Sequence, residues 1–260
     1  MIGAAVGIPA VALVLAPALA SVGAGTTRPV ALSAAPAHVT LAGNTRTAVH
    51  VTNTGTKRVV VDISRAGFAL DLRGRPRVVR KGGARSAAAW LTLQPKRLVL
   101  APHASAALVV ASKLPRRAVP GDHDALVVLS TRRLGSARVA VRVRMGVVVV
   151  VRAPGRTVRR LKLRRLRVTR RGRSRALDVL VANRGNVNES LTGARTVVSL
   201  AGDGRRVATL VASSRDLRPR TSGIVEFAFR SSLHGRMTAR IVIPAQPGRN
   251  AVRRTYRFRL

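Results

Sequence analysis

The densest cluster of residues that could support acid–base or metal chemistry is Gly121-Asp122-His123-Asp124. Two carboxylates beside an imidazole offer ligands for a divalent cation, or a general acid and base. However, Pro120-Gly121 is a turn signal, and an apolar stretch follows at 125–131. We therefore expect a turn that enters a strand, with these polar side chains facing water, rather than a catalytic site.

The other residue types that carry catalysis are sparse or badly spaced. The chain has no cysteine and only nine carboxylate residues, which leaves little material for paired acid–base work. No Gly-x-Ser-x-Gly elbow and no Gly-rich phosphate loop is present. The histidines are scattered, without the spacing of a zinc motif: His38, His50, His103, His123 and His234. These observations predict a protein that is not an enzyme, with no catalytic residue, cofactor, metal or small-molecule substrate.

The strongest charged feature is the acid-free run at 156–175. Alternate residues of a strand share a face, so Arg160, Lys162 and Arg164 could line up and bind a polyanion. A solvated outer sheet face is the plain alternative. The candidate polyanion-binding residues are Arg156, Arg159, Arg160, Lys162, Arg164, Arg165, Arg167, Arg170, Arg171, Arg173 and Arg175.

The whole chain is strongly basic. It carries 48 Lys and Arg residues against nine Asp and Glu residues, a formal net charge of +39. Such a surface attracts anionic polymers by long-range electrostatics. Aromatic residues make up only 2% of the sequence, which leaves no stacking platform for bases. Nucleic acid is therefore an unlikely specific partner.

The hydrophobic pattern is that of strands. Residues alternate between apolar and polar around Val49, Val59 and Leu177, which is the period-2 pattern of half-buried strands. Leu161 and Leu163 lie on one phase and Leu166 on the other, which predicts a bulge near Arg164-Arg165. The run at 147–151 predicts a strand covered on both faces, whereas residues 73–87 read as a long basic loop.

Two strands, 130 residues apart, run into the same Asn-x-Gly turn signal, at Asn53 and Asn183. Both asparagines are better explained by turn geometry than by ligand contact. The duplication and the many short strands predict an all-β fold of two tandem immunoglobulin-like β-sandwiches. Pro154-Gly155 marks the boundary, so the predicted domains are residues 36–153 and 154–260.

The N-terminal segment reads as a targeting signal. Residues 1–27 are uncharged, and an apolar stretch leads to Ala18-Leu19-Ala20, a small-residue cleavage pattern. We expect residues 1–20 to be a signal peptide, or an N-terminal membrane anchor if uncleaved, and residues 21–35 to be a flexible lead-in. The chain is then exported, to the cell surface or the extracellular space.

Several short motifs resemble those of the WxL-interacting protein family of bacterial cell surfaces. They are Asn53-x-Gly55, Trp90-Leu91-x-Leu93-x-Pro95, Leu98-x-Leu100-x-Pro102, Leu114-Pro115, Pro120-Gly121-Asp122-His123 and the stretch 181–186. The resemblance covers residues ~30–260. It implies a signal peptide, two immunoglobulin-like domains, and binding to peptidoglycan and to a partner protein. The transmembrane helix that ordinarily ends the family is not matched in this sequence.

The sequence thus favours an exported, non-enzymatic adhesion protein of the cell surface that contacts a peptidoglycan-like polymer, a partner protein, or both. Two alternatives stay open. A fimbrial-type chaperone also pairs two such domains and lends an edge strand to its client. A secreted binder of nucleic acid or another anionic polymer would use the arginine surface alone.

Overall fold

The computed structural model describes residues 30–79, 83, 85–132, 142–171, 174–191, 196–202, 205–230 and 233–260. The described chain is built from strands, with one 3-10 turn at Ala88–Trp90. Within these residues, no helix is long and apolar enough to cross a membrane. The predicted signal peptide at 1–20 lies outside the described residues.

The first half forms two facing sheets. One has the strand order β1-β3-β8-β6, and the other has the order β2-β10-β9-β4-β5, with β7 also paired to β4. The strands are β1 (Leu32–Ala35), β2 (His38–Ala42), β3 (Arg46–Asn53), β4 (Val59–Leu70), β5 (Pro76–Val79), β6 (Leu91–Gln94), β7 (Arg97–Leu100), β8 (Ser105–Ser112), β9 (Gly121–Thr131) and β10 (Arg144–Ala153).

The second half is also built from two main sheets, but with a different strand order. The strand order is β11-β12-β17 in one sheet and β15-β14-β18-β19 in the other, with a short β13-β16 pair. The strands are β11 (Leu161–Arg171), β12 (Ser174–Asn183), β13 (Glu189–Leu191), β14 (Val197–Gly202), β15 (Arg205–Val211), β16 (Arg215–Leu217), β17 (Ser222–Arg230), β18 (Arg236–Ile243) and β19 (Val252–Arg259).

Each half has its own apolar core, formed by the alternating residues of its strands. The first core includes Val49 and Val51 of β3 and Leu129 of β9, and the second includes Leu177 of β12 and Phe227 of β17. Aliphatic side chains dominate both cores because the chain has few aromatic residues. The predicted fold class, all-β with two immunoglobulin-like sandwiches, is confirmed, whereas the exact domain bounds stay a prediction.

The two asparagines of the duplicated turn signal make matching hydrogen bonds. Asn53 Oδ1 accepts the N–H of Gly55 at 3.0 Å, and its Nδ2 donates to Lys57 O at 2.9 Å. Asn183 Oδ1 accepts the N–H of Gly185 at 2.9 Å, and its Nδ2 donates to Val187 O at 2.8 Å. Both side chains are buried. They are structural turn residues, as the sequence predicts.

Local predictions mostly hold, with two corrections. The bulge is confirmed by a register shift between Leu163 and Arg165. The predicted loop at 73–87 is wrong for β5, which pairs with β4, because Val78 and Val79 continue a hairpin. The flexible lead-in is wrong for β1, which pairs with β3.

Candidate functional site

The cluster Gly121-Asp122-His123-Asp124 begins β9 and is buried, not exposed to water. Asp122 is 0%, His123 2% and Asp124 3% exposed. The prediction that these side chains face water is wrong, because the second half of the chain packs over Asp122 and Asp124, and Trp90 packs against His123. Among the described residues, no group of three or more His, Asp or Glu side chains is placed to hold a metal ion.

Asp122 links two strands of the first half to the second half. Its carboxylate accepts two hydrogen bonds from Arg152, from Nε at 2.7 Å and Nη2 at 3.0 Å. It also accepts the backbone N–H of Asn188 at 2.7 Å. The hydrogen bonds to Asp122 raise the pKa of Arg152 above its usual value. This carboxylate is therefore fully engaged as a structural acceptor.

Asp124, two residues along the same face, binds the second half directly. It accepts Nε of Arg218 at 2.7 Å and Nδ2 of Asn188 at 3.0 Å. The Arg218 guanidinium lies 3.9 Å from the centre of the Phe68 ring, a cation–π contact, and donates to Phe68 O. The Arg218–Asp124 ion pair is largely buried, so each side chain needs the other to compensate its charge.

His123 points to the opposite face and packs inside the first half. Its ring centre lies 4.3 Å from that of Trp90, and Nε2 lies 2.7 Å from Val119 O, to which it donates. Burial lowers the pKa of His123 from its usual 6.5. A neutral imidazole packed against Trp90 is a core group, not a catalytic base.

A hairpin of the first half makes further contacts with the second half. We call the contacts of this hairpin, Asp122 and Asp124 with the second half the junction. The tip between β4 and β5 reaches the edge of β17, where Leu72 O accepts the N–H of Ile224 at 2.7 Å. Arg73 donates to Asp178 at 2.9 Å and to Glu226 at 3.5 Å. Arg215 returns a hydrogen bond to Asp71 O at 2.9 Å. The hairpin thus covers part of an edge strand that would otherwise be open.

Between these contacts lies a cleft of about 590 Å³ with walls from both halves. Its floor is the outer face of the sheet β2-β10-β9-β4, where Val148 and Val150 alternate with core residues of β10. Phe68 and Leu70 of β4 line the same cleft. Among the described residues, four arginines and three aspartates line it, which gives these residues a net charge of +1. They are Arg73, Arg152, Arg215, Arg218, Asp122, Asp124 and Asp216.

Every arginine of the cleft already binds a group of the protein. Arg152 and Arg218 bind the two aspartates of β9, while Arg73 and Arg215 bind across the hairpin tip. The sequence alone does not indicate these arginines as site residues, because their partners lie up to 153 residues away. No local spacing could indicate them.

The predicted polyanion-binding run is split between several environments. Arg156, Arg160, Lys162, Arg164, Arg165, Arg167 and Arg170 are exposed, whereas Arg159 and Arg175 are half-buried. Arg159 pairs with Glu189 at 3.3 Å, and Arg175 donates to Leu233 O at 3.2 Å. Arg173 and the side chain of Arg171 lie outside what the structure describes.

The bulge changes which of these side chains line up. Arg164 is the extra residue between Leu163 and Arg165, so it does not continue the row of Lys162. The row on the outer face of β11 runs instead from Lys162 to Arg165 and Arg167. The alignment of Arg160, Lys162 and Arg164 expected from simple alternation is therefore wrong at Arg164.

Comparison with known proteins finds only distant structural similarity. No family model and no curated protein matches it. Among solved structures, it is similar to a chain of the chaperone–tip adhesin complex of CFA/I fimbriae biogenesis, with 11% identity, 86% of this chain and 98% of that chain covered, and a TM-score of 0.49. It is also similar to the class 5 fimbriae chaperone CfaA, with 12% identity, coverage of 86% and 98%, and a TM-score of 0.46.

A third similar structure is the Pseudomonas aeruginosa CupB2 chaperone, with 16% identity, coverage of 88% and 100%, and a TM-score of 0.42. Similarity at this level establishes neither family nor function for this chain. The resemblance to the WxL-interacting protein family stays a prediction.

Proposed function

We propose that this chain is an exported, non-enzymatic binding protein that holds an extended segment of a partner protein in the cleft between its halves. The observation that carries the proposal is the composition of the cleft. In a chain of net charge +39, the described residues that line this cleft have a net charge of only +1, and its floor is partly apolar. Such a concave, partly apolar surface is a typical ligand site.

The spacing of the floor residues suits an extended chain. Phe68 and Leu70 lie two residues apart on β4, and Val148 and Val150 lie two residues apart on β10. A partner in strand conformation also repeats its side chains every two residues, at about 7 Å. An extended segment could therefore place alternate apolar side chains against this floor, as in other modes of peptide recognition that use strands.

The walls of the cleft are held in place before any partner arrives. Arg218–Asp124 and Arg73–Asp178 cross from one half to the other. Because these ion pairs already fix the halves, binding need not order them, and less free energy is lost on association. A rigid cleft of this kind suits recognition rather than a domain-closing reaction.

The lining favours a protein over an anionic polymer as the occupant of the cleft. A polyanion would meet Asp122, Asp124 and Asp216 there, and the four arginines are already engaged. We therefore do not propose the cell-wall polymer, which the family resemblance implies, as the ligand of the cleft. A fimbrial-type chaperone, which the sequence left open, is the special case in which the segment belongs to a pilus subunit.

The proposal can be tested with a displayed library of random linear peptides panned against the full chain. Val148, which is half-buried, lines the cleft, so Val148→Trp should fill it. Val99 is 52% exposed and outside the cleft lining, so Val99→Trp is the matched control. We expect enriched peptides with alternating apolar residues that lose at least tenfold in affinity for Val148→Trp and bind Val99→Trp like the parent.

Two outcomes would contradict the proposal. Enriched peptides that bind both tryptophan variants equally would place peptide binding elsewhere. Retention on purified wall sacculi that disappears only in Val148→Trp would assign the cleft to a wall polymer instead.

A further inference from the structure

Acidic and basic residues are segregated in the described part of the chain. Eight of the nine carboxylate residues lie there, and six of them form ion pairs with arginines of the same chain. Asp71 accepts the backbone N–H groups of Arg73 and Arg75, and Asp216 lines the cleft. The carboxylates are thus used internally, and the excess arginines face outward.

The clearest excess lies on the outer surface of β18 and β19, far along the chain from the run at 156–175. We call it the outer arginine face, and it consists of Arg236, Arg240, Arg253, Arg257 and Arg259. All five side chains are exposed, whereas the intervening Met237, Ala239 and Ile241 of β18 are buried in the second core. The face therefore follows from plain alternation along two paired strands.

None of the eight carboxylate residues that the structure describes forms a salt bridge with the five guanidinium groups of this face. Arg236 and Arg259 even lie directly opposite each other in the ladder, where like charges are unfavourable. Arg254 on the same strand behaves differently. It donates to Leu163 O at 2.6 Å and lies 5.1 Å from the Tyr256 ring.

The shape of the face favours a linear ligand. Arg253 and Arg259 are six residues apart on β19, which corresponds to about 20 Å along the strand. Arg259 also lines a depression of about 220 Å³ with Arg170 and Arg175, at the end of β11. The exposed arginines of β19 therefore continue to Arg170 and Arg175 on the neighbouring strands. A row of this length suits an extended polymer, whereas a single small anion would need only one or two of these arginines.

The chemistry of the face favours phosphate groups. The guanidinium fork matches the oxygens of a phosphate bidentately. Tyr256 and Phe258 pack against the second core, so this strand offers no exposed ring on which a base could stack. We propose that the outer arginine face is a second binding site, independent of the cleft, for a linear phosphodiester polymer, which it recognises through the phosphates alone.

The test uses the full chain and a fluorescent abasic oligodeoxynucleotide of 20 phosphates, followed by anisotropy over a salt series. The triple variant R253Q/R257Q/R259Q removes three guanidinium groups of the face. The control R77Q/R116Q/R117Q removes three exposed arginines of the first half, so both variants have the same net charge. A third variant, K162Q/R165Q/R167Q, removes the row on β11.

We expect R253Q/R257Q/R259Q to weaken binding at least tenfold, and the control to weaken it less than twofold. The slope of log affinity against log salt should fall by about 2 for the face variant, at roughly 0.7 for each lost phosphate contact on a single strand. The β11 variant should behave like the control. Peptide binding in the cleft should be unchanged in all three variants. A failure of this proposal can therefore be distinguished from a failure of the proposed function.

Equal losses in the face variant and the control would overturn the proposal, because binding would then follow net charge alone. A loss confined to K162Q/R165Q/R167Q would move the site to the run at 156–175. Equal affinity of the parent for polygalacturonate, a carboxylate polymer, would overturn the assignment to phosphate.

Discussion

Arg218 of the second half and Asp124 of the first form an ion pair that closes the junction, with Nε 2.7 Å from Oδ2. Their side chains are only 12% and 3% exposed. Asp124 also holds Asn188, and Arg218 also covers Phe68. This buried ion pair thus connects the start of β9 and the Phe68 ring, both in the first half, to the second half. It also forms one wall of the cleft.

Loss of this pair should destabilise the protein strongly. Asp124→Asn leaves the Arg218 guanidinium buried without a counter-charge, so we expect the free energy of unfolding to fall by about 3 kcal/mol. Urea titration followed by the fluorescence of Trp90, the single tryptophan, measures it. Asp62 pairs with Arg97 on the surface, where the side chains are 41% and 56% exposed, so Asp62→Asn should cost less than about 1 kcal/mol. Equal losses would contradict the assignment.

Gly121 should be irreplaceable at the junction. Its φ is +108°, and a Cβ there would lie 2.1 Å from Asn186 O in the other half. Gly235 has a φ of +90° with nothing within 4 Å of its Cβ position. Both alanine variants carry backbone strain, but only Gly121→Ala must push the halves apart. We expect a lower melting temperature than for Gly235→Ala, and loss of peptide binding in the cleft. Identical behaviour would show that the close contact is unimportant.

The duplicated asparagines should contribute equally. Asn53→Ala and Asn183→Ala each remove one acceptor and several donor contacts in buried turns, which leaves backbone groups unpaired. We expect each variant to lower the free energy of unfolding by about 2–3 kcal/mol. The exposed Asn250 gives the control, since Asn250→Ala should change stability by less than about 0.5 kcal/mol. A large loss in only one half would show that the two turns are not equivalent.

His123 should make stability fall in weak acid. Burial lowers its pKa in the folded state below the 6.5 of the unfolded chain, so the unfolded state binds the proton more readily. The contribution is fully present above pH 6.5 and is lost as pH falls from there through the folded pKa. His123→Gln should flatten this part of the stability curve, whereas His50→Gln, at an exposed position, should not. An unchanged curve in His123→Gln would contradict this role.

Local patterns in the sequence were enough for much of the fold. Alternation at Val49 and Leu177 predicts their strands, and the phase change at Leu163 predicts the bulge, because each signal lies within a few residues. The junction could not be predicted this way. Asp124 and Arg218 are 94 residues apart, and a polar Asp-His-Asp stretch normally faces water. The second half of the chain packs over the two aspartates of this stretch, and Trp90 of the first half packs against His123. The outer arginine face could have been predicted from the sequence. Tyr256 and Phe258 lie on the core face of their strand, so alternation turns Arg257 and Arg259 outward.

The most direct test of the central claim is photo-cross-linking from the floor of the cleft in the producing cells. Benzoylphenylalanine at position 148 should give a discrete adduct with a protein, and the same group at position 99 should not. Adduct formation should also be lost in Gly121→Ala, because the halves no longer form the cleft. Equal adducts from positions 148 and 99, or attachment from position 148 only to wall polymer, would contradict a cleft that binds a protein segment.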